Sequence, residues 1–247
     1  YRPSRPSLTT GTATNRPLMI DLNGVLPVDK PIGPTSHDVV ARARRVLGLR
    51  RIGHTGTLDP FASGLLLLCL GPATRLAEYL TALPKRYRAT MRLGVVTDTD
   101  DLTGTPLETS DSWRDLSPAD VEGALSAQVG KILQRPPAYS AKRVQGERMY
   151  EAARRGEVVE RDPVEVTIEA IDVVRVDLPE VEFEVRCGSG TYIRAIARDA
   201  GERLGVGGHL TALRRTRVGP FGIDRAIALD DLEGPESAAG ALLNPTE

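Results

Sequence analysis

The sequence is poor in the residues that staple a chain or hold a metal. Two cysteines, Cys69 and Cys187, and three histidines, His37, His54 and His209, are scattered through 247 residues. None has the spacing of a zinc site. Both cysteines sit in apolar runs, where a thiol packs as a small hydrophobe, so no disulfide is expected and the default compartment is the cytoplasm. No apolar run approaches the roughly 18 residues that span a bilayer, and the first residues lack the apolar core of a signal peptide. Gly-rich turns occur, but GSG (188–190) and GVGG (205–208) lack the P-loop lysine and its spacing. TDTDDLTG (97–104) has Leu102 where a calcium loop needs a ligand, and no glutamate closes it. No Ser–His–Asp set stands out.

The net charge is −1, which argues against a uniformly basic nucleic-acid binder. The signs are nevertheless segregated. Basic residues crowd positions 42–51, 85–92, 142–155 and 214–217, whereas acids gather at 98–122, 157–184 and the C-terminal end. Each basic cluster is either a solvated face or a phosphate-contacting surface.

Residues 1–20, rich in Pro, Ser, Thr and Gly, read as a flexible tail. A strand is expected at Gly24–Val28. Thr35 and Asp38 form a capping-box pattern before a helix with Val39, Val40, Ala43 and Leu47 on one face and Gly48 as its stop. Pro72 opens a short helix. KRYRATMRL alternates as a half-buried strand, with Tyr87, Ala89, Met91 and Leu93 on the apolar side. Ser117, Pro118 and Asp120 start another helix. Strands follow around Val164–Glu169 and Val181–Cys187, then a helix from Thr191 to about Leu204 and a strand at His209–Val218. Residues 134–160, with prolines and many basic residues but few aliphatics, read as an exposed insertion. Strands and helices mix without a βαβ repeat, so the expected class is α+β with a mixed, largely antiparallel sheet flanked by helices. Residues 231–247 carry no assignable pattern.

One stretch asks for an explanation. GHTGTLDPFASGLLLLCLG (53–71) sets a lone acid, Asp59, on a Gly-rich turn that runs directly into an apolar strand. An Asp before Pro helps form a turn; a carboxylate held at a strand end between apolar walls is also where nucleophiles and bases reside. Arg194 falls in the first turn of its helix, where the dipole disfavours a cation by about 0.3–1 kcal/mol. It either snorkels to solvent or meets an anion, for which Asp59 is a candidate. Tyr87 is either core or a platform for a flat substrate.

These residues belong to a pattern that resembles the TruB-type tRNA pseudouridine synthases. DKPIGPTSHDVV (29–40), GHTGTLDPFASGLLLLCLG (53–71), KRYRATMRLG (85–94), TDTDDLTG (97–104), QRPPAYSAKRVQGERMYEAARRG (134–156), CGSGTYIRAIARDAG (187–201) and GHLTALRRTRVGPF (208–221) fit it in family order. The resemblance implies the pseudouridine synthase fold, with a catalytic domain over 21–230 and an RNA-gripping insertion at about 134–160. It implies isomerisation of a T-loop uridine of tRNA, position 55, to pseudouridine, by base flipping and without a metal or other cofactor. It makes Asp59 the nucleophile, Tyr87 the residue stacked on the target base and Arg194 the partner that orients Asp59. Leu213 packs near the base, Lys30 and Pro31 shape the pocket floor, and His54 contacts RNA where the flipped base has left. Arg154 and Arg155 lie in the gripping segment. The carboxylate could add to C6, trap C1′ or take the ribose 2′ proton; these stay open. Members usually carry a small RNA-binding domain after the catalytic one, which is expected to be absent or truncated here. The match at FASGLLLLCLG favours the stand-alone type over guide-RNA-dependent relatives, acting as a monomer on the T-arm with no membrane partner. An RNA-holding protein without chemistry and an Asp-dependent nucleoside hydrolase are the alternatives; the first tolerates loss of the Asp59 carboxylate, and the second turns over free uridine.

Overall fold

The computed structural model describes residues 22–138 and 162–243, together with two two-residue strands at 143–144 and 147–148. The tail expected at 1–20 and most of the insertion, including Arg154 and Arg155, lie outside the described residues. In chain order the strands are β1 (Gly24–Lys30), β2 (Ile52–Thr55), β3 (Ser63–Leu70), β4 (Lys85–Leu93), β5 (Val95–Thr97), β6 (Pro106–Thr109), β7 (Gly130–Gln134), β8 (Arg143–Val144), β9 (Glu147–Arg148), β10 (Val164–Asp177), β11 (Glu180–Cys187), β12 (Gly208–Val218), β13 (Phe221–Gly222) and β14 (Ile227–Ala228). The helices are α1 (Ser36–Leu47), α2 (Ala77–Ala82), α3 (Pro118–Ser126), α4 (Ile193–Arg203) and α5 (Pro235–Ala241). None is long and apolar enough to cross a membrane.

Ten strands form one sheet in the order β14–β1–β3–β12–β4–β11–β10–β7, with β2 added to β3 and β13 to β12. Only β1–β14 and β3–β12 pair in parallel; the rest are antiparallel. The class expected from the sequence is the class observed.

The apolar run of β3 explains the left half of the sheet. Leu65 to Leu70 are all fully buried. Leu66, Leu68 and Leu70 point into a core with Val39, Val40, Ala43 and Leu47 of α1, whereas Leu65 and Leu67 point to the other face, against Val25 and Val218. A strand covered on both faces reads as a continuous apolar run, not an alternation. The right half is covered on one face. Ala89, Met91 and Leu93 of β4 and Val181, Phe183 and Val185 of β11 pack with Ile193, Ile196, Ala197 and Ala200 of α4 and with Val121 and Leu125 of α3.

Both expected capping boxes form. The Asp38 amide donates to Thr35 Oγ1 at 3.1 Å and the Thr35 amide to Asp38 Oδ2 at 2.8 Å; Ser117 and Asp120 do the same for α3. Gly48 ends α1 at φ 64°, the left-handed position that favours glycine.

Several elements differ from expectation. The helix expected at Pro72 is a 3₁₀ segment, Gly71–Leu76, followed by α2. β2 hides in a Gly-rich stretch, and β6 is exposed along its whole length, so neither carries an apolar pattern. β10 continues to Asp177, with Ile171, Val173 and Val176 packed half-buried against the right-hand core. α5 is built of small residues and seats Ala238 against the α1 core.

The basic clusters are also less free than their spacing suggests. On the open face of β4, Arg88 and Arg92 pair with Glu182 and Glu180 of β11, at 2.6 and 3.3 Å. Arg42 pairs with Asp230, Arg214 pairs with Asp29 at 2.6 Å, and Lys85 and Arg215 are buried. Much of what reads as phosphate-contacting charge is therefore spent within the fold.

Candidate active site

The two halves of the sheet meet where β3 begins. β12 lies parallel to β3 over only two registered pairs, Arg214 with Ser63 and Arg215 with Gly64. The turn carrying Asp59 sits on this seam. It is closed by the Ala62 amide bonding to the Asp59 carbonyl at 3.1 Å. It is also held from behind. Ser36, the first residue of α1, accepts from the Leu58 amide at 2.9 Å and donates to its carbonyl at 3.2 Å. The fully buried Lys30 donates to the carbonyls of Ala62 and Pro31, at 2.7 and 2.8 Å. Leu58, Phe61 and Ala62 anchor the turn in the core.

The Asp59 side chain faces a cavity of about 280 Å³, which Tyr87, Arg194, Leu213, Lys85 and the loop 188–192 also line. That is at the small end of the roughly 300–1,000 Å³ of ligand pockets, the size for a single nucleoside. Arg194 is buried, and its Nε lies 3.0 Å from Asp59 Oδ2. Its second amine donates to Asp59 Oδ1 at 3.3 Å. Its remaining amine donates to the Thr99 carbonyl at 2.8 Å and faces Asp101 Oδ2 at 3.4 Å. The dipole conflict at the start of α4 is thus met by two carboxylates. Burial pushes the Asp59 carboxyl above the usual range; Arg194 opposes this, Asp101 adds to it, and Lys30 opposes it weakly. With 34% of the Asp59 side chain open, the carboxylate remains presented to the cavity.

Arg215 underlies the site. It is 1% exposed, donates from Nε to the Leu65 carbonyl at 2.7 Å and from an amine to the Gly56 carbonyl at 3.1 Å. Tyr87 is buried with one side toward the cavity; burial pushes its phenol up and the neighbouring Arg215 opposes. Lys85 is pulled down to about 8 by burial and by Arg215. It donates to the carbonyls of Leu83, at 2.6 Å, and Thr81.

Asp59, Tyr87, Arg194 and Leu213 therefore come together in one cavity. Lys30, Pro31 and His54 do not line it. Lys30 supports the turn from behind, where burial pulls its ammonium down to about 8. Pro31 is exposed beside it. His54 lies on β2 with its ring edge-on to His37 at 5.2 Å, and burial pulls it down to about 4.

Asp101 and Arg215 belong to the site and were not singled out in the sequence. Asp101 sits in an acidic loop beside Asp100, which is also buried but pairs with Arg198 instead. What distinguishes it is the ring of threonines: Oδ1 accepts from Thr99 Oγ1 at 2.9 Å, the Thr103 amide at 2.9 Å and Thr103 Oγ1 at 2.6 Å. Arg215 was counted in a basic cluster. Alternation carried on from Leu213 puts it on the buried face, and that is the signal that finds it.

The TruB family pseudouridylate synthase N-terminal domain matches residues 44–193, and the tRNA pseudouridylate synthase B C-terminal domain matches residues 194–247. The chain is 46% identical over 229 residues to a tRNA pseudouridine synthase B of Geobacter sulfurreducens, covering 92% of this chain and 75% of that one. It is 50% identical over 212 residues to one of Burkholderia pseudomallei, covering 86% and 70%. Among solved structures, a Cbf5–Nop10–Gar1 complex superposes with a TM-score of 0.71 at 32% identity, over 92% of this chain and 61% of that one. A Nop10–Cbf5 complex of an archaeal box H/ACA sRNP superposes at 0.67 and 30%, over 92% and 62%. With the seam, the cavity and the paired Asp59 already described, these likenesses identify the chain as a member of the TruB family of pseudouridylate synthases.

Proposed function

We propose that the protein isomerises a uridine in the T-loop of tRNA, position 55, to pseudouridine, with residues 21–230 as the catalytic domain. The observation that carries this reading is the Asp59–Arg194 pair at the wall of a nucleoside-sized cavity that also holds Tyr87 and Leu213. The reaction breaks N1–C1′, turns the uracil, joins C5 to C1′, releases the C5 hydrogen as a proton and leaves N1 carrying a proton in its place. It is redox-neutral and transfers no group to or from a second molecule, so it asks for a carboxylate, a base platform and a favourable field.

Asp59 supplies the carboxylate, at C6, C1′ or the 2′ position. Arg194 keeps it ionised and aimed. Tyr87 and Leu213 bracket the flipped base, whose removal from the RNA stack costs a few kcal/mol. Among the described residues, three cations, Lys85, Arg194 and Arg215, line the cavity with a single carboxylate, Asp59. Their surplus positive field favours the negative charge that develops on uracil as N1–C1′ opens. His54 is assigned to the RNA where the base has left, and Arg154 and Arg155 to the backbone. The higher identity to tRNA pseudouridine synthase B proteins than to the Cbf5 chains supports tRNA as the substrate; action as a monomer without a guide RNA is part of the same proposal.

The test is tritium release from a T-arm stem-loop labelled at C5 of uridine, with no other RNA present. Release at catalytic rates is the expected result; tight binding without release would leave an RNA-holding protein, and turnover of free uridine a nucleoside hydrolase. A companion expectation concerns Arg194→Ala. Turnover falls by about 10²-fold or more, because Asp59 loses its orienting partner, while T-arm affinity in a filter assay changes little. An equal fall in both would remove the support for the pairing.

A further inference from the structure

Gln134, the last residue of β7, is fully buried, and both ends of its amide act on a single residue. Its Oε1 accepts from the Tyr192 amide at 2.8 Å, and its Nε2 donates to the Tyr192 carbonyl at 3.1 Å. The side chain thus holds the Tyr192 backbone as a neighbouring strand would. Tyr192 is the N-cap of α4, extended and without a side-chain cap, and Arg194 lies two residues on. The helix itself reaches the Tyr192 carbonyl only through a 3.4 Å bond from the Ile196 amide. One residue beyond Gln134, the Arg135 carbonyl accepts from Arg198 of α4 at 2.9 Å, and Arg198 also bonds Asp100, the neighbour of Asp101, at 2.9 Å. Gln128 offers a contrast: only its Nε2 is used, on the Ile196 carbonyl, and its Oε1 has no partner among the described residues.

We propose that Gln134 is a positioning residue for the Asp59–Arg194 pair, fixing the Tyr192 peptide and thereby the start of α4 from which Arg194 reaches Asp59. Gln134 also pairs in register with Val164, the first residue of β10. The β7–β10 pairing is therefore tied directly to the helix that bears Arg194. An amide is required here, since only an amide presents a donor and an acceptor side by side; methionine fills the volume and offers neither.

The kinetic consequence rests on the isomerase reading, whereas the geometric one does not. Full-chain Gln134→Met and Gln134→Ala are compared with wild type by single-turnover C5 tritium release, T-arm binding, melting and ¹³C NMR titration of the Asp59 carboxyl. Release is expected to slow about tenfold, with affinity held within about twofold. The Asp59 carboxyl should titrate at higher pH than in wild type. Of the groups facing it, Arg194 of α4 is the one that shifts, while Asp101 and Lys30 of β1 stay. In an Arg194→Ala background the Gln134 change should add nothing. An unchanged titration and rate, effects that multiply with Arg194→Ala, or unfolding of both variants would overturn the assignment and make Gln134 a packing residue. Should wild type release no tritium, the isomerase reading falls, and the titration still decides the positioning.

Discussion

Asp59→Asn protein is expected to bind the T-arm as wild type does and to release C5 tritium at least about 10⁴-fold more slowly. The amide matches the carboxylate in volume, so the cavity keeps its shape, but it is neither a nucleophile nor a base. Arg194 keeps the Thr99 carbonyl and Asp101. In wild type the same group sets the acid limb of the rate profile. The Asp59 carboxyl is pushed above the usual range, first by burial, so activity should fall with pH earlier than an ordinary Asp would dictate. The sign for stability is the reverse of a salt-bridged surface acid. A carboxyl whose folded-state pKa is raised costs nothing below its ordinary pKa. Its penalty grows as pH rises from the ordinary value towards the raised one and is complete only above it. Asn removes that penalty, so the variant should melt no lower than wild type at pH 7. A marked drop in melting temperature would mean that the pair with Arg194 outweighs the burial of Asp59.

Gly64→Ala should destabilise the protein by about 3 kcal/mol or more. Gly64 has φ +105°, and a Cβ there would lie 2.3 Å from the Arg215 carbonyl oxygen and 2.7 Å from its nitrogen. Backbone cannot retreat as a flexible side chain would, so β3 and β12 must part. With them would go the bonds from Arg215 to Leu65 and Gly56 that hold both sides of the Asp59 turn. Urea unfolding measures the loss, and Gly53→Ala on β2 is the control. Gly53 has no left-handed φ and nothing within 4 Å of its Cβ position; its replacement should cost less than about 1 kcal/mol. Equal costs at the two positions would remove the steric argument for the seam.

How much of this was legible in the sequence depends on what each residue answers to. α1, α3 and β4 were readable because caps and alternation are local. The run at β3 announced burial on both faces. β2 and β6 were not readable, because short strands without an apolar alternation leave no periodic trace, and the outer half of β10 was blurred by register shifts at Ile168/Ala170 and Val173/Arg175 that break its alternation. Within the site, Asp59, Tyr87, Arg194 and Leu213 were marked by the family resemblance, and the Asp59–Arg194 pairing also by the dipole conflict at Arg194. Asp101, Arg215 and Gln134 were not. Each is a polar residue buried with partners 58 to 159 residues away, and composition treats such residues as surface.

The β3–β12 seam has a consequence for how the site comes into being. Asp59 and Arg194 are separated by 135 residues, Arg215 and Leu65 by 150, and Arg214 and Asp29 by 185. Such closures carry a high loop-entropy cost and form slowly relative to hairpins such as β10–β11 and helices such as α1. A chain emerging during synthesis presents the Asp59 turn long before residues 194–215 exist to orient it. Recovery of activity on refolding is therefore expected to trail recovery of helix and strand.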